Sequence, residues 1–428
     1  MATYLLASNP IHGHAGPIVQ VARHLVGEGH RVTLITGSRF RDHAEAAGAD
    51  FIPLQGSADY DDRLPDTYLP ERERYRGVAR AQYDIRTIFV ETIPDQYRTL
   101  QQAMTAVDPD AVLVDGAFGG ALPLMAKTTR RPPVVALGVT PLTQSSRMLG
   151  PHGMALPPAT DAMGRARYAA MNALAKGVIF RPTQRAGVRA FAACGARLDG
   201  FVMDASRRFD RFLQAGPASL EYTRPDLDAN VSFVGVLPQT GVPGPTPEWW
   251  HELDGRRPVV HVTQGTIDNH DYGRLVRPTL EALADREVTV VVTAGGRPVE
   301  AVGAVPANAR VERYLSYDEL LPRTDVFITN GGFGGVQAAL AAGVPLVVAG
   351  DTEDKPEVAA RVAWTGAGID LKTGVPTPDA VRRAVDAVLS DGSYRAHARR
   401  IAADSAGHDA LREISDHLER TQVRSHAR

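Results

Sequence analysis

A histidine in a turn of proline and glycine is the first group in this chain whose type and place suggest chemistry. The turn Pro10-Ile11-His12-Gly13-His14-Ala15-Gly16-Pro17 follows the short apolar run Tyr4 to Ala7 directly. Imidazole titrates near neutrality, so His14 is suited to act as a general base. The alternative is a histidine that only caps the following helix. Asp115 ends a second apolar run, Ala111 to Val114. A carboxylate there can accept Nδ1–H of His14, fix the tautomer and stabilise the imidazolium. Its alternative is a turn or N-cap aspartate before the stretch Gly119 to Met125.

A second set of residues suits an anion. Thr329-Asn330-Gly331-Gly332-Phe333-Gly334-Gly335 follows the run Asp325 to Thr329 and opens a helix from Val336 to Ala342. Glycines let backbone N–H groups come close to phosphate oxygens, and the helix start adds about half a positive charge. The alternative is a turn needed only for tight packing. Gly265 and Thr266 follow the run Val259 to Thr263 and offer a close backbone and a hydroxyl. Tyr314 can stack on a base, or it is an ordinary half-buried tyrosine. Asp354 and Lys355 can hold sugar hydroxyls, or they belong to a solvated loop. Gly116 to Ala121 fits no phosphate fingerprint, and no Walker sequence is present. Two Asp-x-Asp strings, Asp108-Pro109-Asp110 and Asp226-Leu227-Asp228, read as turns, so no metal is expected.

These groups need a frame that presents loops at the ends of strands. Apolar runs at 4–7, 31–36, 111–114 and 133–137 alternate with helical spacing, the pattern of a parallel sheet with helices on both faces. A proline- and glycine-rich stretch spans Leu237, Pro238, Gly241, Pro243, Gly244, Pro245 and Pro247. The alternation then restarts with runs at 259–263, 288–293, 325–329 and 345–349. The expected organisation is an N-terminal domain over 1–215, a linker region over 216–258 and a C-terminal domain over 259–401. A C-terminal helix over about 402–428 crosses back. Long helices are expected over 71–106 and 161–214. The charged run Glu71 to Arg86 reads as a solvated helix face.

Composition bounds the function classes. The chain has 428 residues, with 47 Lys+Arg against 49 Asp+Glu and a net charge of −2, which gives no electrostatic reason for a nucleic-acid partner. The single cysteine, Cys194, excludes an intramolecular disulfide and a cysteine zinc cluster. Four of the 47 basic residues are lysines, an arginine bias that fits a high-GC bacterial genome. No signal segment or 18-residue apolar span stands out, so a cytoplasmic enzyme without a membrane partner is expected.

Together the motifs resemble the family 1 glycosyltransferases of the GT-B fold, especially bacterial members that decorate antibiotics. The resemblance covers nearly the whole chain and is most specific in the series Gly265-Thr266, Tyr314 to Pro322, Thr329 to Gly335, Gly343-Val344-Pro345 and Asp354-Lys355. It implies an α/β fold of two doubly wound Rossmann-like domains facing across a cleft. It makes His14 the base and Asp115 its support. Gly265, Thr266, Asn330, Gly331, Gly332, Gly334 and Gly335 fall at the diphosphate, Tyr314 at the base, and Asp354 and Lys355 at the donor sugar. Asn330, Gly335 and Lys355 stand where the family usually has His, Ser and Gln, and Ala338 where a Glu often holds the ribose. Trp249 and Trp250 also match the family and read as packing residues.

The implied reaction is inverting transfer of a sugar, glucose from UDP-glucose or a deoxysugar from a TDP donor, with no permanently bound cofactor. The implied acceptor is a hydrophobic hydroxylated natural product, such as a polyketide or macrolactam of the rifamycin kind. It would lie against 55–92 and 140–172, which include Tyr60, Tyr83, Phe89, Met148, Met154 and Met163. A nucleotide-sugar epimerase, a nicotinamide oxidoreductase and a non-catalytic glycosyltransferase activator are the competing classes. The missing Gly-x-Gly-x-x-Gly after the first strand argues against nicotinamide. Retention of His14 and Asp115 argues against the activator.

Overall fold

The computed structural model describes residues 1–128, 130–239, 246–266 and 268–426, with side chains to residue 421. Seven parallel strands form the first sheet: β1 (Thr3–Ala7), β2 (Arg31–Thr36), β3 (Asp50–Pro53), β4 (Ala111–Asp115), β5 (Val134–Gly138), β6 (Arg211–Gln214) and β7 (Val231–Phe233). Six more form the second: β8 (Val259–Thr263), β9 (Thr289–Thr293), β10 (Ala309–Glu312), β11 (Val326–Thr329), β12 (Leu346–Val348) and β13 (Gly368–Asp370). The orders are β3-β2-β1-β4-β5-β6-β7 and β10-β9-β8-β11-β12-β13. Both reverse direction once, between the first and fourth strands of each sheet, which is the doubly wound arrangement. The central strands are near-continuous Val, Leu and Ile because helices cover both faces, and β4, β5, β8 and β9 are buried along their whole length.

The helices that position the site are α1 (His12–Gly27), α2 (Ile93–Val107), α3 (Phe333–Ala341) and α4 (Lys355–Thr365); α5 (Gly392–Ser405) and α6 (Ala410–His426) follow them. Helix α6 leaves the second domain and returns to the first. Ala410, Ile414 and Leu418 pack with Val21, Leu25 and Leu113.

Several expectations need correction. The stretch 161–214 is not one helix, because Arg211–Gln214 is strand β6. Its backbone pairs with β5, a partner some 75 residues away that local periodicity does not show. The first sheet also runs past residue 215 to β7, inside the stretch read as linker. The stretch 71–106 is broken as well. A helix over Gly77–Ile85 runs into a π turn at Arg86–Val90 before α2 begins. Leu237 joins the first core, whereas Gly241, Pro243, Gly244 and Pro245 lie outside the described residues. Trp249 and Trp250 do pack, against Val259, Val291 and Leu320 of the second domain.

Candidate active site

His14 stands in the first turn of α1, immediately beyond β1, and Asp115 is the last residue of β4. β1 and β4 are neighbours in register, with Ala7 opposite Val114, so their carboxyl ends meet at the point where the sheet order reverses. There His14 Nδ1 lies 2.8 Å from Asp115 Oδ1. A carboxylate can only accept, so Nδ1 carries the proton and Nε2 is left with the free lone pair. Burial alone would lower the His14 pKa, but the Asp115 carboxylate outweighs it and the net direction is upward. Asp115 is fully buried, which by itself would raise its pKa; His14 and the N–H donors around it hold it below the usual carboxylate range.

Those donors are a part of the site that sequence reasoning missed. Asn9 gives Asp115 Oδ2 two hydrogen bonds, from its backbone N at 3.0 Å and from Nδ2 at 2.7 Å. The N–H of Ala117 donates to Oδ1 at 2.9 Å. Asn9 Oδ1 in turn accepts from Gln96 Nε2 on α2, and Gln96 Oε1 accepts from the N–H of Gly120. A Cβ at Gly120 would overlap Gln96, and one at Gly119 would crowd Ile93. Gly119 and Gly120 therefore serve close packing against α2, and Gly116 packs against Phe212. The signal for Asn9 was an uncharged polar residue directly after a buried strand. Phe89, inside the π turn, lies with its ring centre 5.8 Å from that of His14 and walls one side of the imidazole.

The second domain repeats the design. Thr263 of β8 and Thr329 of β11 are register partners, so the loops 264–266 and 330–335 leave at one level, again at the reversal point. Helix α3 starts at Phe333 with Gly332 as N-cap. It has no side-chain cap and no acidic residue in its first turn. Its first amides are therefore left for an anion. Gly265 and Gly331 adopt φ of +70° and +90°, conformations that favour glycine. Thr266 is exposed. Tyr314 is 60% exposed, and a Cβ at Gly296 would collide with its hydroxyl, so the ring is seated at one end and bare on its surface. A narrow crevice between Gln264, Asp268, Asn330, Gly350 and Asp351 opens beside these loops.

Two residues assigned to the donor by resemblance are held by other protein groups. Asn330 Nδ2 donates to the carbonyl of Gln264 at 2.6 Å and ties the two glycine loops together. Lys355 Nζ donates to Asp268 at 3.0 Å, Thr352 at 2.7 Å and Glu353 at 2.7 Å, which uses all three of its hydrogens. Asp268 was not picked out from sequence, because it is 87 residues from its partner. Asp354 remains without such a tie. Burial, reinforced by Glu353, pushes its carboxyl up to about 6, and the charge of His14 acts on it from the other domain. Gln337, next to Ala338, donates to the carbonyl of Ala215 across the domains.

The Asp-x-Asp strings lie elsewhere and are engaged locally. Asp110 accepts from the N–H of Thr3, and Asp226 accepts from Ser146 and Arg147. Among the described residues no group of three or more His, Cys, Asp or Glu is placed to hold a metal ion, and no helix is long and apolar enough to cross a membrane.

Two doubly wound domains, a histidine–carboxylate pair on one and an uncapped glycine-rich helix start on the other, define a GT-B transferase. The C-terminal part, residues 277–421, matches the family model described as "Erythromycin biosynthesis protein CIII-like, C-terminal domain". The chain is 38% identical to 4'-demethylrebeccamycin synthase of Lentzea aerocolonigenes, over 98% of this chain and 99% of that protein. It is 33% identical to UDP-glucosyltransferase A1 of Starmerella bombicola, over 97% of this chain and 91% of that one. The crystal structure of CalG4, the calicheamicin glycosyltransferase, superposes with a TM-score of 0.75 at 22% identity, covering 99% of both chains. The chain belongs to the family 1 glycosyltransferases and is a GT-B enzyme.

Proposed function

We propose that this enzyme performs an inverting, metal-independent transfer of a sugar, glucose from UDP-glucose, to a hydroxyl of a hydrophobic natural product. His14 Nε2 takes the proton of the acceptor hydroxyl. The oxygen forms its bond to the anomeric carbon as the bond from that carbon to the nucleotide diphosphate breaks on the opposite face. Asp115 stabilises the imidazolium. Charge develops on the leaving diphosphate, and the amides at Gly332 to Gly335, with the start of α3 behind them, are arranged to receive it. Thr266 and Gly265 flank that position, Tyr314 offers a face to the base, and Asp354 can accept from sugar hydroxyls. The observation that carries the reading is the buried 2.8 Å His14–Asp115 pair, which leaves Nε2 as a base. The relative named UDP-glucosyltransferase A1 supports a uridine donor.

A second donor, a TDP-deoxysugar, has one observation in its favour. Residue 338 is Ala, which cannot hold a ribose hydroxyl, and Gln337 is engaged with Ala215. A missing 2′-hydroxyl would then leave no buried group unpaired. The deciding experiment is a screen of UDP- and TDP-sugars against hydroxylated polyketides and macrolactams, read by mass spectrometry with and without EDTA. A gain of one hexose, retained in EDTA and reduced about 10²-fold or more in His14→Ala, is expected. Transfer that persists unchanged in His14→Ala removes the base assignment, and loss in EDTA restored by Mg²⁺ removes metal independence.

A further inference from the structure

Deep in the contact between the domains lies an ionic network that the chemistry above does not use. Arg361 of α4 is almost fully buried, and its guanidinium lies over the Tyr222 ring at 4.4 Å. It donates to Glu221 Oε1 from Nε at 3.0 Å and from Nη2 at 2.8 Å, and to Glu357 Oε2 at 2.8 Å. Glu221 Oε2 accepts from the N–H of Leu142 at 3.2 Å. Arg224, bonded to Glu221 at 2.9 Å, donates to the carbonyls of Leu142 and Gln144, each at 2.8 Å. These bonds hold the start of the long loop that leaves the carboxyl end of β5.

The far part of that loop is held from the other domain. Glu357 Oε1 accepts from the N–H of Gly153 at 2.7 Å and of Ala155 at 2.9 Å. Gly153 has φ +92° and Ala155 has φ +53°, the latter a costly conformation for a residue with a side chain. Two amides converging on one carboxylate oxygen offset that cost, as anion-binding turns do. Between them Met154 is 51% exposed, an apolar side chain held out where water is the alternative. Glu357 lies one helical turn from Asp354, so one end of α4 carries both a sugar-facing carboxylate and the anchor of a first-domain loop.

We propose that Glu357 is an acceptor-positioning residue. Through Gly153 and Ala155 it fastens the 142–155 loop to α4 and sets that loop as the outer wall of the acceptor site, in register with the donor sugar. The proposal rests on the glycosyltransferase reading and adds to it that acceptor fit is set from the donor domain.

The test uses the full-length enzyme with the best donor and acceptor from the screen, and compares Glu357→Ala, Glu357→Gln, Gly153→Ala and the double variant Glu357→Ala with Gly153→Ala. Glu357→Ala is expected to raise acceptor KM about tenfold or more while donor KM stays within about twofold. Donor binding should hold because Val358, Ala359 and Val362 anchor α4 in its own core. Glu357→Gln keeps an acceptor oxygen for the two amides and should recover part of the loss. Gly153→Ala, which disfavours φ +92° from the other side, should give the same acceptor defect, and the double variant should be no worse than either single one. If Glu357→Ala does not fold, Gly153→Ala and Glu357→Gln carry the same comparison. An unchanged acceptor KM, a parallel rise of both KM values, or additive effects overturns the positioning role. A wild-type enzyme that transfers sugar to no acceptor overturns the underlying reading instead.

Discussion

The Asp115 carboxylate has both oxygens committed, to His14 and the N–H of Ala117 on one and to two donors of Asn9 on the other. A group bound this completely is fixed in position and in charge, and that has consequences for pH dependence. The base must be neutral, and Asp115 holds the His14 pKa upward against its burial. In the proposed reaction Asp354 accepts from sugar hydroxyls with both oxygens only when ionised, and burial pushes its carboxyl up to about 6. Both ionisations act with the same sign, so kcat/KM should rise with pH through about 6 and beyond, to the His14 value. In Asp115→Asn the upward pull is gone and burial dominates. The His14 limb should then move to lower pH, while the rate falls by about 10²–10⁴ because the imidazolium loses its counter-charge. A pH–rate profile of both enzymes checks this; a limb that stays in place shows that another group titrates. Lys355 illustrates what a residue-by-residue transfer of roles misses. Its place after the strand is plain in the sequence, but its three hydrogen bonds to Asp268, Thr352 and Glu353 depend on a loop brought in by folding.

At the scale of elements, helix α3 works through its exposed start. It begins with glycines and lacks both a side-chain cap and an acid in its first turn, although either would stabilise the helix. A Cβ at Gly334 meets nothing within 4 Å. Gly334→Asp should therefore fold well and gain about 1 kcal/mol, from replacing a helical glycine and placing an acid at the positive end. The same carboxylate would face the diphosphate, so donor KM should rise about tenfold or more. Thermal unfolding and donor titration together check it, and unchanged donor binding would show that the phosphates lie elsewhere. Which elements were legible follows a physical rule. Strands buried on both faces, such as β4 and β9, announce themselves as apolar runs, and the residues that follow such strands come to the carboxyl end of the sheet by topology alone. His14, Asp115 and the 329–335 turn were legible on that ground. Strands β6 and β7, Arg-Phe-Leu-Gln and Val-Ser-Phe, carry no such run, and a pairing partner far along the chain makes them strands. The π turns at 86–90 and 175–179 keep helical spacing on either side, so periodicity reads across them.

The whole molecule is closed on itself by its C-terminus. Helix α6 is covalently part of the second half, yet Ala410, Ile414 and Leu418 complete the core of the first, and Ser415 Oγ donates to Glu28 at the end of α1. Gln337 with Ala215 and Glu357 with Gly153 make further ties between the two halves. A domain pair joined at several separate places can change its opening only by limited motions, which suits a reaction that must exclude water while two substrates meet. The return of α6 also makes a separable prediction. Leu418 is fully buried, so Leu418→Ala removes a core side chain and leaves a cavity, a loss of about 2–5 kcal/mol. Because Leu418 packs on the first domain, the loss should appear in that domain's unfolding. The loops 264–266 and 330–335, where the nucleotide is proposed to bind, are not part of this core, so nucleotide binding should hold below the new unfolding temperature. Urea unfolding followed alongside nucleotide titration distinguishes the outcomes. Loss of nucleotide affinity in the folded variant would mean that α6 is coupled to the donor site, and an unchanged midpoint would mean that α6 does not contribute to the first core.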